Sequence, residues 1–181
     1  MNNLIQSKKQ TEKLKLLAEK QLKTDEKFMR EAIKQAKLAL KNGDVPVGAV
    51  IVKNDEIIAR AYNKNEKHDC ALCHAEILAI KKASKKLGWR LDGCDIYVTL
   101  EPCAMCAGAI ASARLNRAVF GAKEPKSGFC VSRGNLLESC GLNHKTAAVC
   151  GVLEEDCAKM IKDLFDKRRK TQAKPERNGE N

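Results

Sequence analysis

Asp95-Ile96-Tyr97-Val98-Thr99-Leu100-Glu101-Pro102-Cys103-Ala104-Met105-Cys106 joins a β-prone run to a helix start. Asp95 to Leu100 predicts a short central strand, and Pro102 is a residue type that opens helices. Cys103 and Cys106 are three apart, so on a helix beginning there they project from one face a turn apart. Helix N-termini carry partial positive charge, which favours the thiolate, the form that binds metal.

Upstream, His74-Ala75-Glu76 completes the pattern. One His and two Cys suffice for a catalytic zinc, because such sites use three protein ligands and leave the fourth tetrahedral position to water. In a regular helix residues two apart are separated by about 200°. His74 therefore belongs at the helix start, where His74 and Glu76 can both reach one metal, leaving Glu76 for proton transfer. Two other readings compete. Cys-x-x-Cys is also a redox motif, and Cys70 with Cys73 could join Cys103 and Cys106 in a closed four-Cys structural zinc site. Four-Cys coordination would leave His74 and Glu76 without a role.

His-Ala-Glu followed by Pro-Cys-x-x-Cys resembles the signature of the zinc-dependent cytidine and deoxycytidylate deaminase superfamily. Asp44-Val45-Pro46-Val47-Gly48-Ala49-Val50, Tyr97-Val98-Thr99-Leu100-Glu101-Pro102-Cys103 and Leu142-Asn143-His144 resemble the bacterial tRNA-specific adenosine deaminases within it. The resemblance runs from about Phe28 to Phe165. It implies an α/β fold of three α/β/α layers, with a mixed five-stranded sheet flanked by helices, usually as a homodimer. It also implies one Zn2+ per chain on His74, Cys103 and Cys106, with Glu76 as proton shuttle. Pro46, Val47 and Asn63 would line the base pocket, although Asn63 taken without the resemblance reads better as a strand-end turn residue. Glu124 stands where the family usually has an Asp that meets the RNA backbone. Ala71-Leu72-Cys73 after Asp69-Cys70 departs from the family's Asp-Pro-Thr-Ala, and Phe129-Cys130-Val131 replaces smaller residues.

The bulk composition suits that reading. The 181 residues, 44% of them apolar, suffice for one domain with an extension. Aromatics are only 4%, so aliphatic residues must fill the core. Lys and Arg number 34 against 23 Asp and Glu, a net +11 that attracts a polyanion such as RNA, or simply solvates the surface. Nine Cys without a secretory leader suit zinc and reduced thiols better than a disulfide scaffold, and imply a cytoplasmic setting. Leu14, Leu17 and Leu22 are too sparse for a membrane span.

Outward from the motifs, residues 1–23 read as a basic extension, helical or disordered. Residues 24–170 form the deaminase domain, and 171–181 a disordered tail. Helical spacing over Asp25 to Asn42 predicts the first core helix. Val47 to Val52 and Glu56 to Tyr62, joined by Asn54-Asp55, predict a hairpin. Ile77, Leu78, Ile80, Ala83, Ser84 and Leu87 predict the buried face of the His74 helix, with Lys81, Lys82, Lys85 and Lys86 outward, free to touch phosphates or to solvate. Arg117 to Gly121 and Thr146 to Val152 predict strands, Glu124 to Asn143 a functional loop with a short helix near Leu136, and Glu154 to Arg169 a closing helix.

The function implied is hydrolytic deamination of adenosine to inosine at the wobble position of a tRNA anticodon loop. Water activated by zinc would attack C6 of an unstacked adenine. A free-base or nucleotide deaminase, and a non-enzymatic zinc module, are the alternatives.

Overall fold

The computed structural model describes residues 2–139 and 144–172. Its helices are α1 (Asn2–Lys41), α2 (Asn65–His68), α3 (Ala75–Leu87), α4 (Ala104–Ser112), α5 (Leu136–Ser139) and α6 (Glu154–Gln172). Its strands are β1 (Gly48–Lys53), β2 (Glu56–Tyr62), β3 (Cys94–Leu100), β4 (Arg117–Ala122) and β5 (Ala147–Cys150), in the sheet order β2-β1-β3-β4-β5. Strand β1 runs antiparallel to both β2 and β3, whereas β3, β4 and β5 are parallel, so the sheet is mixed as expected. Asn54 and Asp55 take φ of 51° and 61°, the two left-handed residues that a tight hairpin turn requires.

Side chains alternate faces along a strand, and here both faces are apolar. Val50, Val52, Tyr97 and Val119 pack with Phe28, Met29, Ala32 and Ile33 of α1 and Cys157 of α6. Ala49, Ile51, Ile96, Val98, Ala118 and Phe120 pack instead with Ala75, Ala79 and Ala83 of α3 and Ile110 of α4. Three layers follow, with helices on both faces of the sheet. The face of α3 that is fully buried is thus an alanine stripe. Ile77, Leu78 and Ile80 are half-buried and Leu87 is exposed, because only small side chains let the helix approach the sheet this closely.

The boundary expected at residue 23 is a change of burial, not a break in the chain. One uninterrupted helix carries both parts, exposed over residues 10–23 and buried from Asp25 onward. Asp25 anchors it, accepting a hydrogen bond from the Tyr97 hydroxyl at 2.9 Å and two from the Arg117 guanidinium at 3.1 and 2.6 Å. At the tail, Thr171 and Gln172 belong to α6, while 173–181, like Leu142 and Asn143, lie outside the described residues.

Gly48 lets α1 lie on the hairpin. A Cβ there would stand 2.1 Å from the Ala32 carbonyl oxygen and 2.4 Å from the Ala36 nitrogen. Gly48→Ala is therefore expected to destabilise the fold by about 1–3 kcal/mol through overpacking. Urea denaturation should show a lower midpoint with an unchanged slope; an unchanged midpoint would mean that α1 yields without cost.

Candidate active site

Two helix N-termini meet at the C-terminal end of β3. His74 is the N-cap of α3, with φ −67° and ψ 149°, and Cys103 is the N-cap of α4, with φ −70° and ψ 173°. Both caps are extended, which resolves the spacing of His74 and Glu76, since only Glu76 is inside the helix. Pro102 lies one residue before the Cys103 cap, outside α4. His74 Nδ1 stands 3.8 Å from Cys103 Sγ and 3.5 Å from Cys106 Sγ, and all three ligand atoms lie within 4.8 Å of one another. Tetrahedral zinc with usual bond lengths would place nitrogen and sulfur about 3.6 Å apart, so the donors fit that ion. Among the described residues this is the one group of three or more so placed. Cys70 and Cys73 form their own turn, the Cys73 N–H donating to the Cys70 carbonyl at 3.1 Å, and do not join it.

The donors perturb one another. The Cys106 thiol and then the His74 ring, both hydrogen-bonded to Cys103, hold the Cys103 thiol down at about 4. The same bond to Cys103, with burial next, pushes Cys106 up. Contact with Cys103 raises the His74 imidazole. Binding a metal therefore displaces the proton kept on Cys106.

Glu76 is 3% exposed, and burial pushes its carboxyl above the usual carboxylate range. Its Oε2 is buried without a hydrogen-bond partner. Such an orphan is costly unless a ligand uses it. Glu76, His74 and Cys103 line a cleft of about 310 Å³, whose walls include Val47, Asn63 and Glu124. Three of the four expected substrate contacts are thereby brought together. The fourth, Pro46, is buried between Val45 and Val47, which do line the cleft, and does not line it itself. Asn63 has a structural task as well: its Oδ1 accepts the Ala75 N–H at 2.8 Å at the start of α3. That bond fixes the amide, whose NH2 group has no partner among the described residues. Asp44 ties the wall together, accepting the N–H groups of Val45 and Glu66 at 2.9 and 3.0 Å.

The sequence reading gave Glu101 no role, yet it organises the long loop. Its carboxylate accepts the N–H groups of Glu124 at 3.0 Å, Cys130 at 3.1 Å, and Val131 and Ser132 at 2.8 Å, together with the Ser132 hydroxyl. Gly128 makes the wrap possible, because a Cβ there would fall 2.4 Å from Glu101 Cδ. The signal available was an acid directly before the metal helix. The Phe129 N–H reaches the Pro102 carbonyl at 3.0 Å, Cys130 is buried and Val131 exposed, and none of the three lines the cleft. Glu124 is held by its own backbone, and its Oε1 accepts the Lys126 N–H at 2.9 Å.

Glu101→Ala would strip several buried N–H groups of their acceptor and is expected to cost about 3 kcal/mol, with Glu101→Gln intermediate. Although burial opposes ionisation, the hydrogen bonds from Ser132, Glu124 and Val131 hold this carboxyl below its usual range. A depressed folded-state value means that the stabilisation is complete above about pH 4.3, the unfolded-state value, and is lost as pH falls through the lower folded one. Denaturation from pH 7 down to pH 3 checks this: the gap between parent and Glu101→Ala should narrow only at the acid end, and a constant gap would count against the charge.

A redox pair or a closed structural zinc site has no use for a buried carboxyl with one oxygen unpartnered beside three metal donors; a zinc-dependent hydrolytic deaminase does. Residues 22–122 match the cytidine and deoxycytidylate deaminase zinc-binding region. A tRNA-specific adenosine deaminase of Bacillus subtilis (strain 168) is 51% identical over 147 residues, 81% of this chain and 91% of that protein. One of Rickettsia bellii (strain RML369-C) is 46% identical over 142 residues, 77% of this chain and 98% of the relative. A solved structure from work on A-to-I editing by tRNA:A34 deaminases superimposes with a TM-score of 0.71 at 39% identity, covering 74% of this chain and 97% of that one. The chain belongs to the cytidine and deoxycytidylate deaminase family, among its tRNA-specific adenosine deaminases.

Proposed function

We propose that this chain deaminates adenosine to inosine at the wobble position of a tRNA anticodon. The observation that carries the reading is the buried Glu76 carboxyl, with one oxygen unpartnered, on the wall of a base-sized cleft beside His74, Cys103 and Cys106. His74 Nδ1 and the thiolates of Cys103 and Cys106 would hold one Zn2+, which when bound would make water acidic enough to act as a nucleophile near neutral pH. Glu76 would take one proton from the attacking water and pass it to N1 of adenine, then move the remaining proton of the new C6 hydroxyl to the leaving amino group, which departs as ammonia, as in zinc deaminases generally. Val47 packs against the base, the free NH2 of Asn63 donates to one of its ring acceptors, and the Glu124 carboxylate accepts from a ribose hydroxyl.

The base must leave its stack to enter so small a cleft, so a single-stranded loop is the substrate. We place the enzyme in the cytoplasm as a homodimer, a setting that suits its free thiols. No described helix is long and apolar enough to cross a membrane.

Incubating the purified protein with tRNA and sequencing the product tests the reading, since inosine reads as guanosine. Conversion at the wobble adenosine is expected. Ammonia release from a free base or mononucleoside, with tRNA unchanged, would overturn it.

A further inference from the structure

Strand β2 is the outer edge of the sheet, and the outward side of α3 lies over it. Lys82 Nζ donates to the Arg60 carbonyl at 2.7 Å and Lys86 Nζ to the Ile58 carbonyl at 2.5 Å. With Lys85 they line a groove of about 410 Å³ against Ile57 and Ile58. Lys64, whose ammonium stands 5.1 Å from the Tyr62 ring centroid, lies between Asn63 and Asn65, which both line the catalytic cleft. Burial, and then the neighbouring charges of Lys64 and Lys86, push the Lys82 ammonium down, so the three cations feel one another.

No described acid forms an ion pair with Lys64, Lys82, Lys85 or Lys86. Arg60, the other cation lining the groove, is paired with Glu31 at 3.5 Å. Each carbonyl uses one of an ammonium's three N–H donors and leaves the others outward. Lysines over an edge strand also deter pairing with another sheet. That explains Lys82 and Lys86, but not Lys64 at the cleft mouth or Lys85, which bonds to nothing described.

Like charges gathered and fixed without counter-charges mark a surface for a polyanion. From His74 to Lys86 the strip runs about 18 Å at the helical rise of 1.5 Å per residue, several nucleotides beyond the reacting base. We propose that Lys64, Lys82, Lys85 and Lys86 form the track on which the sugar-phosphate backbone of the substrate RNA leaves the catalytic cleft. The proposal rests on the RNA-deaminase reading above and adds to it a surface that the cleft does not include.

The test compares the parent with Lys82→Gln/Lys85→Gln/Lys86→Gln, with the charge-keeping Arg triple and with Lys85→Gln alone. Kd for an anticodon stem-loop is measured between 50 and 200 mM salt, alongside binding of the isolated loop oligonucleotide and single-turnover inosine formation at saturation. Each phosphate contact contributes about 0.7 to 0.9 to the salt slope. Over that range the parent should therefore lose about 20- to 40-fold more affinity than the Gln triple, and about threefold more than Lys85→Gln. The Arg triple should follow the parent, zinc content and saturated rate should not change, and the isolated loop, whose nucleotides already span the strip, should rank the variants in the same order. Equal slopes for the parent and the Gln triple would overturn the track. A parent that forms no inosine would overturn the deaminase reading instead, while the slopes still decide the track.

Discussion

Glu76→Gln is expected to fold, bind zinc and bind tRNA like the parent, and to form inosine at least about 10²- to 10⁴-fold more slowly, the usual range for one general acid–base group. The amide keeps the size of the side chain and the α3 N-terminus that holds it, but cannot take up and release a proton. Burial already raises the Glu76 carboxyl, bringing it toward the pH at which it must both accept and donate. One group serving several transfers should lie at or beyond the upper end of the range. Single-turnover inosine formation in an anticodon stem-loop, with zinc content and binding measured on the same sample, is the check. A rate within about tenfold of the parent would remove Glu76 from proton transfer, because even a weak general acid–base effect exceeds that. Loss of zinc would make Glu76 a ligand.

Cys103→Ala should lose zinc, whereas Cys70→Ala and Cys73→Ala should each retain about one per chain. Altering a residue that merely supports a ligand costs about 10- to 100-fold in metal affinity, so deleting one of three ligands should cost more. The donor cluster contains Cys103 and excludes Cys70 and Cys73. A bound metal also stabilises the folded state by mass action. A chelator should therefore lower the Tm of the parent and of the Cys70 and Cys73 variants, but not that of Cys103→Ala. Zinc loss from all three variants would restore the four-Cys site.

Much of this molecule was legible in its residues. Asn54-Asp55 between two β-prone runs located the hairpin, because two successive left-handed residues suit few other turns. The separation of His74 from Glu76 placed His74 at a helix start, as its extended backbone shows. Less legible was α3, where half-buried Ile77 and Ile80 outweigh the fully buried alanines in any hydrophobic pattern. Periodicity registers side-chain size, whereas helix–sheet distance rewards small ones. The extension over residues 1–23 looked separable because its apolar residues are sparse, yet the helix ladder that binds Asp25 to the core continues through it.

The sequence by itself determined the chemistry: which residues can bind a metal, which acid stands beside them, and that a strand feeds the helix of Cys103 and Cys106. These are local properties, set by residue type and by spacings of two or three along one segment. Only the tertiary structure decided that Cys70 and Cys73 stay outside the cluster, that Pro46 is buried and does not line the cleft, and that Glu101 gathers the loop from Glu124 to Ser132. Each depends on contacts between segments distant in the chain, where hydrogen-bond distance and burial choose among residues that spacing leaves equivalent.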